Sequence, residues 1–148
     1  MLIRLKNKEK IKENWEILWP LIEPNIPPIV GTDGMRSKKI LGTILNDQVY
    51  LWAVHQDGNL DDAFGFILSS ITHDVFSGKY SMFILSAATT SEGGNKEWTD
   101  AATELFSHAV RKGCSRMFGY TKNPQILELL RELHANTEYT FVYADIGE

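Results

Sequence analysis

Residues 90–96 combine two adjacent glycines with the predicted start of a long helix. Gly93 and Gly94 let backbone N–H groups turn toward a ligand, and Asn95 is a good N-cap residue for the helix. The first N–H groups of a helix have no partner within it, and they lie at the positive end of its dipole. The stretch therefore predicts an anion site suited to a pyrophosphate. The alternative interpretation is that the two glycines only turn the chain into a capped helix.

Charged side chains beside this loop act on the predicted anion site in both directions. Glu92 and Glu97 add negative charge close to the proposed phosphate position, whereas Lys96 partly offsets them. The backbone N–H groups of the loop therefore favour a phosphate, whereas the net negative charge of the nearby side chains opposes it.

The histidines and the single cysteine give little support to metal or nucleophilic chemistry. No two histidines have the spacing of metal ligands, so no metal site is predicted. His108 follows Glu104 by four residues on the polar face of the long helix, which predicts a solvated side chain. Cys114 follows the end of that helix, where the negative dipole end raises the pKa of a thiol, so it is expected to be a poor nucleophile.

Hydrophobic periodicity divides the chain into helices and strands in the order ααβββαβαβ. Short turns join the three central strands as an antiparallel meander, and the strand–helix–strand unit after them predicts a parallel crossover. The expected fold class is therefore α/β, with α+β character in its mixed sheet. The predicted helices cover residues 8–23, 34–46, 95–112 and a stretch after Asn123, and the predicted strands cover residues 49–54, 63–72, 80–88, 116–120 and 139–144.

The composition is that of an ordinary folded domain. The chain has 148 residues, 43% hydrophobic and 23% charged, which predicts one domain over residues 1–148 and excludes a disordered chain. The net charge of −4 argues against binding nucleic acid by charge, and no apolar run is long enough to span a membrane. One cysteine cannot form an internal disulfide, so we expect a cytoplasmic protein. We also expect either a monomer or a homodimer.

The order of elements resembles the GNAT (N-acetyltransferase-like) acyltransferase superfamily. A meander, a strand entering a glycine-containing loop at a helix start, and then strand, helix and strand cover roughly residues 41–145. The tryptophan-rich first helix and the strand VYLWAV are similar to those of small GNAT-like proteins of tailed phages. The resemblance implies binding of an acyl-coenzyme A such as acetyl-CoA and transfer of its acyl group to a small-molecule or peptide amine. It also implies that pantetheine pairs with Leu85, Ser86, Ala87 and Ala88, and that Gly93, Gly94, Asn95 and Lys96 donate to the pyrophosphate.

The phosphate loop departs from the family pattern. That pattern reads Arg or Gln, two residues, Gly, one residue, and then Gly or Ala. Here Thr90 stands at the first position and Asn95 at the last, while Gly93 is in register. Weaker or altered binding of the cofactor is expected from these two changes.

The resemblance also bears on which residues would do the chemistry. Asn123 matches the asparagine that many members direct at the pantetheine arm, and it is equally explained as a helix cap. Many members carry a tyrosine one to two turns later that protonates the departing thiolate, but residues 129–130 are leucines here. Tyr120 and Tyr143 are the nearest substitutes for that acid. The alternative is that both are packing residues with a hydroxyl at the surface.

Three functions remain open from the sequence. The first is an acyl-CoA-dependent N-acyltransferase, which the element order and the glycine loop favour. The second is a GNAT-fold binding or assembly module of the phage type that has lost catalysis, which the altered loop and the missing tyrosine favour. The third is an unrelated α+β interaction domain.

Overall fold

A mixed five-stranded sheet with helices on both faces organises the chain in a computed structural model, which describes residues 1–27, 35–55, 63–90 and 94–146. The strands follow one another across the sheet in the order in which they occur along the chain. The elements are β1 (Leu2–Arg4), α1 (Lys8–Ile22), a 3₁₀ turn (Glu23–Asn25), α2 (Arg36–Leu45), β2 (Tyr50–Val54), β3 (Gly65–His73), β4 (Tyr80–Thr89), α3 (Asn95–Arg111), β5 (Cys114–Gly119) and α4 (Pro124–Glu132).

The strand directions confirm the predicted mixed sheet. Strands β1 to β4 pair antiparallel, as short turns require, and β5 pairs parallel with β4. Helix α3 carries the chain from β4 back to the start of β5 and packs against β5. The predicted α/β fold class with a meander and a parallel pair is therefore confirmed.

Each face of the sheet has its own apolar core, because alternate strand residues point to opposite faces. On one face, α1 and α2 bury a stripe of residues three and four apart against Leu51, Leu68 and Leu85. On the other face, α3 buries Ala101, Leu105 and Ala109 against the sheet. The members of the first helical stripe are Ile11, Trp15, Leu18, Ile22, Ile40 and Ile44. The two cores fix the helices on opposite sides of β4.

Strand β1 was not predicted from the sequence. It has three residues and pairs with β2 from Leu2↔Val54 to Arg4↔Trp52. Three residues are too few for a period-two pattern, so only the pairing partner identifies the strand.

The predicted last strand, residues 139–144, is wrong. The structure has no helix or strand in this segment, and Tyr139, Val142 and Tyr143 are exposed. Alternating aromatic and β-branched residues favour a strand only when a neighbouring edge pairs with them and buries one side. The short turn expected between the first two strands of the meander lies largely outside the described residues, since residues 56–62 are not described.

Candidate functional site

Strand β4 loses its parallel neighbour halfway along its length. Its first half, residues 80–84, pairs with β5 from Tyr80↔Cys114 to Ile84↔Gly119. Strand β5 ends at Gly119, whereas β4 continues to Thr89. Among the described residues, no strand pairs with residues 85–88 on that side, and we call this segment the open half of β4. Its backbone N–H and C=O groups on this edge are available to a ligand of extended shape.

A β-bulge lies at the start of the open half. Leu68 pairs with Ser86 and Ser69 pairs with Ile84, so Leu85 is an extra residue on β4 with no residue opposite it. Leu85 packs in the core under α1 and α2, and the Ser86 hydroxyl donates to the carbonyl oxygen of Ile22 at the end of α1 at 3.3 Å. Adjacent side chains on one face are the mark of a bulge, which bends its strand. The bulge therefore lies directly after Ile84, the last residue of β4 that pairs with β5.

The other edge of the open half is held firmly by β3 and the segment before it. The pairing between the two strands continues to Gly65↔Thr89. Beyond it, the N–H of Thr90 donates to the carbonyl oxygen of Phe64 at 2.9 Å, and its hydroxyl donates to that of Ala63 at 2.7 Å. The open half is therefore fixed along one edge, and along the other it has no strand partner among the described residues.

Gly119 lets the two strands come close at their last pair. A Cβ atom on this residue would lie 3.0 Å from the carbonyl oxygen of Ile84. A larger residue would push β5 away from β4 earlier along the strand. The glycine therefore helps to set where the open half begins.

The start of α3 is placed at the end of β4 by a close contact with β3. A Cβ atom on Gly65 would lie 2.6 Å from two ring carbons of Trp98, so only glycine leaves room for that ring. The ring of Phe64 meets Trp98 edge to face, with 6.4 Å between the centroids. The tryptophan thus fixes the first turn of α3 beside the open half.

The helix start differs by one residue from the prediction. Gly94 is the N-cap, with extended backbone angles, and Asn95 is the first helical residue. The prediction of Asn95 as the cap is therefore wrong, and Gly94 has no side chain with which to accept from the first-turn N–H groups. Lys96 is exposed in this turn, while Gly93 lies outside the described residues.

Glu97 brings a carboxylate to this helix start. Its Oε2 is buried with no hydrogen-bond partner among the described residues, and it would lie 2.7 Å from a Cβ atom on Gly94. A carboxylate in the first turn interacts favourably with the helix dipole. The same carboxylate would repel a phosphate approaching the same N–H groups, as the sequence indicated.

Asn123 is a helix cap in this structure. Its side-chain oxygen accepts from the N–H of Gln125 at 2.9 Å, and Pro124 takes the first helical position of α4. The capping interpretation is therefore confirmed. A contact between Asn123 and a pantetheine arm stays a prediction.

Tyr120 and Tyr143 belong to one group of aromatic rings. Phe141 lies between them, with its centroid 4.4 Å from that of Tyr120 and 5.9 Å from that of Tyr143. Tyr120 directly follows Gly119, so it lies where β5 leaves β4. The predicted strand at residues 139–144 does not form, yet the segment still brings Tyr143 to this group.

Three aromatic residues near the separation of β4 and β5, namely Phe83, Phe118 and Phe141, were not predicted from the sequence as site residues. Phe118 stacks on Phe83 across the β4–β5 pair, with 5.0 Å between centroids, and lies 6.4 Å from Tyr120. Phe141 joins this pair to the C-terminal segment. The alternation of Phe118 and Tyr120 on one face of β5 was the available signal, but their exposure was not readable from sequence.

The prediction that the His108 side chain is solvated is wrong. Its ring meets that of Trp52 edge to face at 4.8 Å, and that of Tyr50 at 6.3 Å. Burial lowers the pKa of His108, and the positive charges of Lys112 and Arg111 lower it further. The side chain is thus a neutral packing residue on the α3 face.

Cys114 is a poor nucleophile, although for a different main reason from the one predicted. Burial raises the pKa of its thiol. Within the described ranges, no three side chains of His, Cys, Asp or Glu are grouped as metal ligands. No helix in those ranges is long and apolar enough to cross a bilayer.

No family model and no curated protein matches the sequence. Solved structures match over nearly the whole chain. A probable acetyltransferase has a TM-score of 0.70 and 15% identity, covering 100% of this chain and 99% of its own. An aminoglycoside acetyltransferase from an uncultured soil metagenomic sample, in complex with sisomicin, has a TM-score of 0.67 and 15% identity, covering 99% and 96%.

A third structure carries the name of the superfamily. It is a GNAT family acetyltransferase from Staphylococcus aureus, with a TM-score of 0.56 and 16% identity, covering 100% of this chain and 96% of its own. Identities this low establish a common architecture and no more. The chain has the fold of the GNAT acetyltransferase superfamily.

Proposed function

We propose that this protein is an acyl-CoA-dependent N-acyltransferase that acts on an amine. The observation that carries the proposal is the open half of β4, an extended backbone edge that begins at a bulge and ends at a helix start. Such an edge suits a narrow, extended ligand with amide groups, and the helix start beside it suits an anion. Acetyltransferases with this fold support the assignment.

The open half of β4 fits the pantetheine arm of an acyl-coenzyme A well. Leu85, Ser86, Ala87 and Ala88 present backbone groups on the unpaired edge, and their small or buried side chains leave it accessible. The residues proposed for the pyrophosphate are Gly93, Gly94, Asn95 and Lys96. Asn123, at the start of α4, is proposed to reach the pantetheine arm from the opposite side.

When bound, an acyl-coenzyme A supplies a thioester. The amine nitrogen bonds to the acyl carbon as the C–S bond breaks, and the departing sulfur takes the proton that the nitrogen loses. The N–H groups of the open half donate to the carbonyl oxygen, which gains negative charge during transfer. Tyr120 is proposed to hold the proton for the sulfur, because it lies at the separation of β4 and β5. Tyr143 is the second candidate for that role.

A binding module without catalysis is the second candidate function. The observation that favours it is the carboxylate of Glu97 at the helix start, where a phosphate would have to bind. Leu129 and Leu130 also occupy the stretch of α4 in which the resemblance places a tyrosine acid.

Thermal unfolding with and without acetyl-CoA tests whether the chain binds the ligand at all. Ligand at one hundred times its Kd adds about 2.7 kcal/mol, which raises the Tm of a domain of this size by about 5–11 °C. No shift at millimolar acetyl-CoA would contradict both the enzyme and any CoA-binding module.

Release of free thiol from acetyl-CoA across a panel of amines separates the two candidates. A transferase consumes thioester only when an amine is present, and Tyr120→Phe lowers the rate while leaving the acetyl-CoA shift in Tm unchanged. Binding without thioester consumption for any amine would favour the module.

A further inference from the structure

Five aromatic rings form a continuous surface beside the open half of β4. We call this set the aromatic surface, and its members are Phe83, Phe118, Tyr120, Phe141 and Tyr143. Neighbouring centroids lie between 4.4 and 6.4 Å apart, and the interplanar angles run from 22° to 81°. The rings thus contact one another both stacked and edge to face, the two geometries in which aromatic rings associate favourably.

The aromatic surface lies on the same face of the sheet as α1 and α2. Phe83 packs against the core under those helices, and Phe118 pairs with it across the β4–β5 ladder. Helices α1 and α2 bury the equivalent face of β2 to β4, whereas Phe118 and Tyr120 are 36% and 38% exposed. The core of this face thus continues into a half-covered aromatic area at β5.

The position of the surface gives it a role in the proposed reaction. Phe118 is one residue before the last β4–β5 pair, and Tyr120 is one residue after it. The rings therefore begin at the point where the open half of β4 begins. A molecule resting on them reaches the same point as a ligand extended along the open half.

We infer that the aromatic surface binds the acceptor, and that the acceptor is a primary amine carrying a flat aromatic group. The inference rests on the proposed function, since it names the substrate class of that site. The ring of the acceptor contacts Phe118, Tyr120 and Phe141 by faces and edges, and the nitrogen lies toward the separation of the strands. Aromatic faces also attract the ammonium form of the amine before it loses its proton.

A second copy of the chain is the other occupant that an exposed aromatic area could have. The rings of the aromatic surface are half-covered, while the fully protruding apolar side chains nearby are Tyr139, Val142 and Ile146. A flat interface between copies would use those protruding residues. Phe118 and Tyr120, beside the open half of β4, are only 36% and 38% exposed, which suits a small ligand better than a flat interface.

Binding of three amines, measured by ligand-observed NMR without any acyl-CoA, tests the inference. The probes are 2-phenylethylamine, 2-cyclohexylethylamine and butylamine, which share the primary amine and differ in the flat ring. We expect 2-phenylethylamine to bind at least threefold more tightly than 2-cyclohexylethylamine, and butylamine to bind most weakly. Equal binding of the two ring-bearing amines would overturn the inference.

Variants locate the binding site on the aromatic surface. Phe118→Leu keeps an apolar side chain but removes the ring, and it is expected to weaken 2-phenylethylamine binding by about threefold to tenfold. Tyr143→Leu, at the exposed end of the surface, tests the same point if Phe118→Leu does not fold. Phe76→Leu is the matched control, because Phe76 is 98% exposed in the turn between β3 and β4. A loss of binding in the control equal to that in Phe118→Leu would overturn the inference.

The outcomes separate this inference from the proposed function. Acetyl-CoA binding and amine acetylation with no preference for aromatic amines would overturn the inference alone. Binding of 2-phenylethylamine without any acetyl-CoA shift would contradict the transferase and, with it, the acceptor role. A dimer by sedimentation that Phe118→Leu dissociates would assign the surface to a second copy and overturn the inference.

Discussion

The two halves of β4 have different roles, one inside the sheet and one at its open edge. Residues 80–84 pair with β3 on one side and with β5 on the other, and Met82 is fully buried there. Residues 86–89 pair with β3, and among the described residues no other strand pairs with residues 86–88. One extra residue, Leu85, separates a segment that holds the sheet together from a segment that offers a ligand its backbone. A single strand can therefore combine stability and binding when a bulge divides it.

Truncation of Met82 should give the largest effect on stability. Met82→Ala removes a fully buried side chain from the core under α3 and is expected to lower the free energy of unfolding by about 2–5 kcal/mol. Urea denaturation measures the change. Val75→Ala, at an exposed turn residue, is the control and should stay within about 0.5 kcal/mol. An equal effect in both variants would remove the distinction between the paired half and the surface.

Substitution of Gly65 should disturb the open half more than the paired half. The added Cβ of Gly65→Ala would overlap the ring of Trp98, so stability should fall by about 1–3 kcal/mol. The acetyl-CoA shift in Tm should also shrink, because the start of α3 must move. Gly42→Ala is the matched control, since nothing lies within 4 Å of the added methyl group. A full acetyl-CoA shift in Gly65→Ala would show that the contact does not position the helix start.

Neutralising Glu97 should affect stability and ligand binding in opposite directions. Glu97→Gln loses a favourable interaction with the dipole of α3, about 0.3–1 kcal/mol of stability. Removal of the same charge should tighten acetyl-CoA binding by about twofold to fivefold, which titration calorimetry measures. Glu104→Gln, exposed and further along the same helix, should leave affinity unchanged. Weaker binding in Glu97→Gln would mean that the carboxylate assists the ligand.

The pH dependence of stability should show the smallest effect, on the face of the sheet away from the aromatic surface. Burial and the nearby cations lower the pKa of His108 in the folded chain below its ordinary value of 6.5. The unfolded chain therefore takes up a proton first, and stability falls as the pH drops below about 6.5 toward the folded pKa. Urea titrations between pH 7.5 and 5 should show a shallower fall for His108→Gln. Equal slopes in the two proteins would place the dependence elsewhere.

The regular elements could be predicted from sequence, but the details that make the site could not. Helix α3 and the parallel crossover follow from apolar spacing and short loops, and the structure confirms both. The bulge at Leu85 leaves no mark in residue types, since it depends on the register of two strands. The last strand was predicted from alternation alone, which cannot supply the missing pairing edge. The single-domain organisation of residues 1–148 stays a prediction.

Among the site residues too, roles set by local sequence could be predicted and roles set by distant contacts could not. The capping role of Asn123 was readable from the following proline, because local chemistry determines it. The meeting of Tyr120, Phe141 and Tyr143 depends on how the C-terminal segment returns to the sheet. No local pattern contains that information, so three of the five rings of the aromatic surface, Phe83, Phe118 and Phe141, were missed.

The contact between Trp98 and Gly65 has a consequence for hydrogen exchange. It ties the start of α3 to β3, which lies on the far side of β4 from β5. If β4 and β5 separate further, α3 stays in place and β5 must move. In the described sheet β5 has one strand partner, β4. Amides of β5 should therefore exchange faster than those of Thr89 and Thr90, because β5 moves more than the open half of β4.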